Sequence, residues 1–277
     1  MTRVEALKKW SEKMASGLFP DVSHETQLVP VAPGVNLEVL DFGGQGEPLV
    51  CLAGLLLTAH SYDDFAPALT DRFHVYAITR RGFGASSQPE TGYDIRTRIE
   101  DLSHALEAMG LDRVCLVGHS QAGDELTWFA ETYPEGVSRL VYLDAAEDHS
   151  WFWGWFKSNG FGSYASVPET AMRVWEESAR AGAPDYRRLN APALAIYARW
   201  EHAADVWPDA WEMADEMGRE WIRKAFDSWR VVRTRSKADF AEALDGRIVE
   251  LSRAGHMIFV TDREDVLDLT RHFIEHV

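Results

Sequence analysis

The sequence predicts an α/β protein, and two observations carry that reading. Short apolar runs of strand length alternate along the chain with segments whose apolar residues step by three and four, the helical period. The sharpest junction lies in residues 112–123, where Val114, Cys115, Leu116 and Val117 read as a buried strand and Gly118 breaks it. The small residues Ala122 and Gly123 then allow a tight turn into Leu126, Phe129, Ala130 and Tyr133, a helical stripe. Ser120 sits at the tip of this strand, turn and helix. Its Oγ is exposed there beside the free backbone N–H groups of the helix start, where a developing oxyanion can be held.

The elements follow in order. Residues 3–18 carry Val4, Leu7, Trp10, Met14 and Leu18 on one helical face, ended by Pro20. Residues 27–31 and 36–41 alternate as two strands joined by Ala32-Pro33-Gly34, and a glycine-rich turn follows at 41–46. That turn lacks the Lys-Ser/Thr pair of a phosphate loop and does not sit between strand and helix, so no nucleotide site is read there. Residues 48–53 form a buried strand, as do 73–78. Asp94 caps a helix with Ile95, Ile99, Leu102 and Leu106 on one face, closing at Gly110. Residues 136–143 are the strand after the Ser120 helix, and Asp144 ends it.

From residue 146 the composition changes. Nine of the eleven tryptophans fall between Trp151 and Trp229, and Trp151-Phe152-Trp153-Gly154-Trp155-Phe156 is followed by Phe161 and Tyr164. Residues 191–198 return as a strand. Beyond it Trp207, Trp211, Ala214, Gly218, Trp221, Ala225 and Trp229 step by three and four, as a long amphipathic helix or a bent pair better explained by core packing than by a cofactor. Residues 247–251 form the last strand, and Val266, Leu267, Leu269, Phe273 and Ile274 suit a closing helix. No repeat, low-complexity tract or linker interrupts the 277 residues, so they read as one domain.

Composition narrows the function classes. A formal charge of −16 argues against nucleic acid or an anionic membrane as partner, since both are bound through an excess of Lys and Arg. Cys51 and Cys115 each lie inside an apolar strand and read as reduced core residues rather than a disulfide framework. The N-terminus carries Lys8, Lys9, Glu12 and Lys13 with no long apolar run, so neither a signal peptide nor a membrane span is read, and the expectation is a cytoplasmic monomer or homodimer.

Four segments, taken together, resemble the α/β-hydrolase superfamily: Cys51-Leu52-Ala53-Gly54-Leu55, residues 80–86 (Arg-Arg-Gly-Phe-Gly-Ala-Ser), the Ser120 turn, and Ala254-Gly255-His256-Met257. With the strands between them they span about residues 25–145 and 190–277. The resemblance implies a mostly parallel eight-stranded sheet flanked by helices, with a helical, aromatic-rich lid inserted after strand 6, about residues 146–190. A further helical excursion is expected at about 202–240. Three departures stand out: Ala122 takes the place of the second glycine of Gly-x-Ser-x-Gly, Ala53 that of a histidine which often braces the loop after it, and Thr79 that of an aspartate.

A serine hydroxyl is a poor nucleophile at neutral pH and needs a histidine within hydrogen-bond reach. The resemblance places that base at His256, after the last strand. It places the oxyanion donors at the backbone N–H groups of Leu55 and Gln121. Two carboxylates compete for the acid that orients His256. Glu201, three residues past Ala198, is favoured by a narrow margin over Asp144, and the loser is expected nearby, raising the basicity of the histidine. Trp153, Trp155 and Phe156 are expected to line the substrate pocket. No zinc-ligand spacing is present, and neither metal nor cofactor is expected. The expected activity is a serine carboxylesterase acting on a small or medium apolar or aromatic ester. Lactone or C–C bond hydrolysis, a lyase, and a slow-turnover ligand sensor stay open beside it. Serine rather than aspartate at 120 argues against epoxide opening or halide displacement through an alkyl-enzyme ester.

Overall fold

Along a strand successive side chains point to opposite faces, so a strand that is apolar from end to end needs cover on both sides. The computed structural model, which describes residues 2, 5, 8, 9, 11, 12, 24–159, 168–244, 247–252 and 254–277, meets that need with a sheet between two helical layers. The face-forming residues of the predicted 3–18 helix, and Phe161 and Tyr164, lie outside the described residues.

The strands are β1 (Glu25–Ala32), β2 (Val35–Gly43), β3 (Pro48–Leu52), β4 (His74–Thr79), β5 (Val114–His119), β6 (Val137–Leu143), β7 (Ala193–Arg199) and β8 (Ile248–Ser252). They form one sheet in the order β1-β2-β4-β3-β5-β6-β7-β8. β2 pairs antiparallel with β1 and β4, and every other pairing is parallel. Among the described residues the α-helices of more than four residues are α1 (Ile95–Ala108), α2 (Ala122–Thr132), α3 (Ser150–Asn159), α4 (Glu169–Ala181), α5 (Pro208–Met213), α6 (Glu216–Ala243) and α7 (Arg263–His276).

Two cores result. On one face Val50, Leu116, Tyr142 and Tyr197 meet Ile99 and Leu102 of α1, Leu126 and Phe129 of α2, and Phe240 of α6. On the other Cys51, Cys115, Val141 and Ile196 meet Phe259 and the Val266, Leu267 and Phe273 stripe of α7. Both cysteines are free and buried. Asp94 caps α1, its side chain accepting from Thr97 N, a contact worth about 1 kcal/mol.

The chain between β6 and β7 holds α3 and α4, and that between β7 and β8 holds α5 and α6. Of the two readings of the 207–229 stripe, the bent pair is what forms. Asp215 stops the first helix and caps the second by accepting a 2.9 Å bond from Gly218 N. At 28 residues α6 is about 42 Å long. Gly218, Ile222 and Trp229 from its first half line a cavity, while Phe240 from its second half enters the core. Among the described residues no helix is long and apolar enough to cross a membrane.

β5, β6 and β8 run parallel and end on the same edge, where α/β sheets hold their ligands. That edge is tight at the turn after β5. A Cβ on Gly118 would lie 2.6 Å from Leu126 Cδ1, and one on Gly123 only 1.9 Å from the carbonyl oxygen of Ala145. The second glycine therefore belongs at 123, where α2 crosses the chain leaving β6, while buried Ala122 fits without conflict. Gly123→Ala is expected to cost about 1–3 kcal/mol in denaturant unfolding. Gly136→Ala, whose added carbon meets nothing nearer than 3.8 Å, should stay within about 0.5 kcal/mol. Equal losses in the two variants would contradict the close-approach argument.

Candidate active site

The turn after β5 holds Ser120 at φ +51°, a left-handed conformation that costs a residue with a side chain roughly 1–2 kcal/mol. Ser120 N donates to Leu143 O at 3.2 Å and Ser120 O accepts from Gly123 N at 2.8 Å, so the turn is tied to both β6 and α2. The strain lifts Oγ off the strand end. His256, in the loop after β8, is held by a 3.1 Å bond from its backbone N to Val206 O, and its Nε2 lies 2.9 Å from Ser120 Oγ. Its Nδ1 lies 2.8 Å from Asp144 Oδ2.

Asp144 is fully buried, also at φ +51°, immediately after β6. Its Oδ1 accepts Ala198 N at 2.7 Å and Arg233 Nη2. Burial alone would raise its pKa, but Arg233 and the hydrogen bond from His256 outweigh it and hold the group below the ordinary carboxylate range. An ionised carboxylate only accepts, so His256 Nδ1 carries the proton and Nε2 is free to receive the serine hydroxyl. This arrangement can withdraw a proton from Ser120.

Glu201 is not part of it. Its side chain is 46% exposed and lies 3.6 Å from Arg199, and its backbone N donates to Asp205. The chain leaving β7 turns Trp200 inward against Trp229 and His256, and Glu201 outward. Of the two competing carboxylates, the structure brings Asp144 to His256 and does not bring Glu201, the one favoured on position. Nor does Glu201 lie beside the histidine, since its half-exposed side chain pairs with Arg199, and the charged partner of Asp144 is the cation of Arg233.

His119, next to the serine, is buried with Nε2 3.0 Å from His256 O. Burial and the neighbouring His256 push its pKa down to about 3, so it stays neutral and braces the histidine loop. Across the site, Leu57 N donates to Gly54 O and Leu56 has φ +68°. Arg80 donates to Gly54 O at 2.9 Å and Ala53 O at 2.7 Å while its Nε and Nη2 engage Glu125, which supplies the bracing left open by Ala53. Thr79 is structural, its Oγ1 accepting Ala59 N and donating to Glu38. Among the described residues neither the Leu55 nor the Gln121 amide donates to a protein acceptor.

Ser120 and His256 open onto a cavity of about 550 Å³ with a wall of Trp151, Phe152, Trp175, Trp207, Trp221 and Trp229. Trp153, Trp155 and Phe156 do not line it. Trp155 packs behind the wall, its ring 5.4 Å from Trp221, and Phe156 stacks with Trp153 and touches Trp175. The expected aromatic pocket is present, but α3 turns its first two rings to the cavity and most of the wall comes from α4 to α6. Elsewhere, His24, His60 and Asp63 have ligand-type atoms within 4.8 Å of one another. Burial opposes charge on His60, yet Asp63 and Glu38 outweigh it and raise its pKa to about 9, so a metal there would have to displace a proton.

The model of the alpha/beta hydrolase fold matches residues 47–166. The chain has the α/β-hydrolase fold. Over 101 residues, 36% of this chain and 35% of the relative, it is 37% identical to a soluble epoxide hydrolase of Corynebacterium sp. (strain C12). Over 134 residues, 47% of this chain and 65% of the relative, it is 31% identical to a serine hydrolase-like protein of Homo sapiens. The chain therefore spans between about a third and two thirds of the curated relatives it matches. A carboxylesterase structure from Bacillus subtilis superposes with a TM-score of 0.63 over 98% of each chain at 16% identity, a likeness of fold.

The Asp144 carboxylate beside His256 is held by a network that no motif announces. Arg233, on α6, bonds Asp144, Ala198 O (2.8 Å) and Glu147, and its guanidinium lies 4.0 Å from the Trp200 ring centroid. Glu147 also accepts the indole N–H of Trp229. All of these side chains but Trp200 are buried, so removing the arginine strands two carboxylates. Arg233→Met is expected to destabilise the protein by about 3–5 kcal/mol in denaturant unfolding. Arg235→Met, at an 86% exposed side chain two residues on, should change stability by no more than about 0.5 kcal/mol. A loss at Arg233 no larger than that would mean the network is not structural.

Proposed function

We propose that this chain is a cofactor-free serine hydrolase of carboxylic esters, acting on small or medium acyl or aryl groups. The observation that carries the reading is the hydrogen-bonded line from Ser120 Oγ through His256 to Asp144 beside a cavity walled by aromatic rings. Ser120 Oγ attacks the ester carbonyl carbon while His256 Nε2 takes its proton. The resulting oxyanion lies between the Leu55 and Gln121 amides, each worth about 3 kcal/mol to the transition state. As the C–O bond breaks, His256 returns the proton to the leaving alcohol, and a water deprotonated by the same nitrogen then releases the acid. Asp144 keeps the imidazole in the tautomer that both steps need.

The serine favours ester over epoxide chemistry. A serine alkylated by an epoxide would be left as an ether, which an imidazole-activated water does not cleave, whereas an acylated serine is an ester that water can. The cavity volume falls in the usual range for drug-sized ligands, roughly 300–1,000 Å³. Helices α3 and α4 act as the lid over it.

A panel of p-nitrophenyl esters of rising acyl length tests the assignment. Ser120→Ala is expected to lower kcat by roughly 10⁴-fold or more, and Asp144→Asn by roughly 10³–10⁴-fold. Glu201→Gln, an exposed substitution, should stay within about twofold. Hydrolysis that survives in Ser120→Ala, or a loss in Glu201→Gln equal to that in Asp144→Asn, would overturn it.

A further inference from the structure

The cavity contains a second histidine–carboxylate pair that the triad does not use. His149 lines it, and His149 Nδ1 lies 2.8 Å from Asp124 Oδ1. Both side chains are 9% exposed. Asp124, in the first turn of α2, is held in place by the Gln121 side-chain amide, which also donates to Ser178 Oγ of α4 at 3.1 Å. The pair is thus joined to the Ser120 turn through Gln121, the residue that follows the serine. His149 Nε2, across the ring from the Asp124 bond, is buried and has no hydrogen-bond partner. A buried imidazole nitrogen without a partner costs about 1–3 kcal/mol, and in a wall otherwise rich in indole and phenyl rings His149 Nε2 is, with His119 Nδ1, a polar group without a protein partner among the described residues.

We propose that His149, positioned by Asp124, is a specificity-determining residue that donates from Nε2 to a second acceptor oxygen of the substrate, distinct from the scissile ester. The preferred substrate class is then an apolar or aromatic ester that also carries a keto or carboxylate oxygen. This rests on the reading of the cavity as the substrate site.

The charge state supports the direction of the bond. Burial opposes charge on His149, but Asp124 outweighs it, with Glu147 and Asp148 adding in the same sense, and its pKa is raised. His119 also faces it and stays neutral. Nδ1–H is committed to Asp124, so Nε2 donates only while the ring is doubly protonated. Recognition of an acceptor should therefore be complete well below the raised pKa and be lost as pH rises through it.

The test compares ligands that differ by one carbonyl. Benzylacetone and butylbenzene are titrated into Ser120→Ala protein, whose tryptophan-rich wall reports binding by fluorescence. In Ser120→Ala/His149→Phe the ratio of ketone to hydrocarbon affinity is expected to fall by about tenfold or more. Ser120→Ala/His149→Gln, which keeps an N–H donor, should retain most of it. In Ser120→Ala itself the ratio should fall as the pH rises above the ordinary histidine range and Nε2 loses its proton, a readout that needs no change at His149. A ratio that is the same in the phenylalanine variant, or does not move with pH, overturns the proposal. Comparing p-nitrophenyl levulinate with p-nitrophenyl valerate on unmutated protein separates the two readings. Inertness toward both esters with an intact ketone ratio sinks the esterase reading alone, while turnover with no ratio change sinks only the role of His149.

Discussion

A carboxylate removed from water remains an anion only where donors surround it, and the fully buried Asp144 is the point at which this structure must meet that demand. Its donors come from separate parts of the chain: the Ala198 amide at the end of β7, the Arg233 guanidinium from α6, and the His256 ring from the loop after β8. Each contact that keeps Asp144 ionised therefore also places an element. Arg233 in turn is a buried cation, matched by Glu147 as well as Asp144 and covered by the Trp200 ring. The acid that orients the histidine and the helix that walls the cavity are held by the same ion pairs.

That coupling gives α6 two roles along one length. Its second half docks on the sheet through Phe240 and Arg233, and its first half carries Gly218, Ile222 and Trp229 to the cavity. Trp229 belongs to both, since its indole N–H is spent on Glu147 while its ring lies 5.2 Å from His256. Aromatic rings of this kind keep bulk water from the Ser120–His256 hydrogen bond, and electrostatic interactions gain strength in such surroundings. A second side, the loop at residues 54–57, is set by a different, partly buried cation, Arg80, through the carbonyls of Ala53 and Gly54. Ion pairs beneath the surface thus set both walls of a cavity that is itself mostly apolar.

Local pattern was a good guide wherever one element decides the outcome. The turn at Ser120 is legible because a strand, a glycine and a helix stripe must follow one another there, and the Asp94 cap and the α7 stripe are equally local. The displaced glycine of the Ser120 turn looked like a departure until Gly123 was seen against Ala145 O. Glu201 shows the limit. Position after β7 is a property of the sequence, but whether residue 200 or 201 turns inward depends on the Trp229 and His256 rings waiting for a neighbour. The rings of α3 repeat the lesson, since density of tryptophan signals a wall without saying which two of six adjacent residues face it.

By itself the sequence determined the α/β class, the strand order along the chain and the serine at the turn, because each rests on periodicity or on residues close in sequence, while the histidine after the last strand was legible only through the family resemblance. Only the tertiary structure decided the acid, the network of Arg233 and Glu147, the makeup of the aromatic wall and the pairing of His149 with Asp124. These join residues 25 to 112 positions apart, and a buried charge selects its partner by distance and desolvation, neither of which leaves a spacing to read.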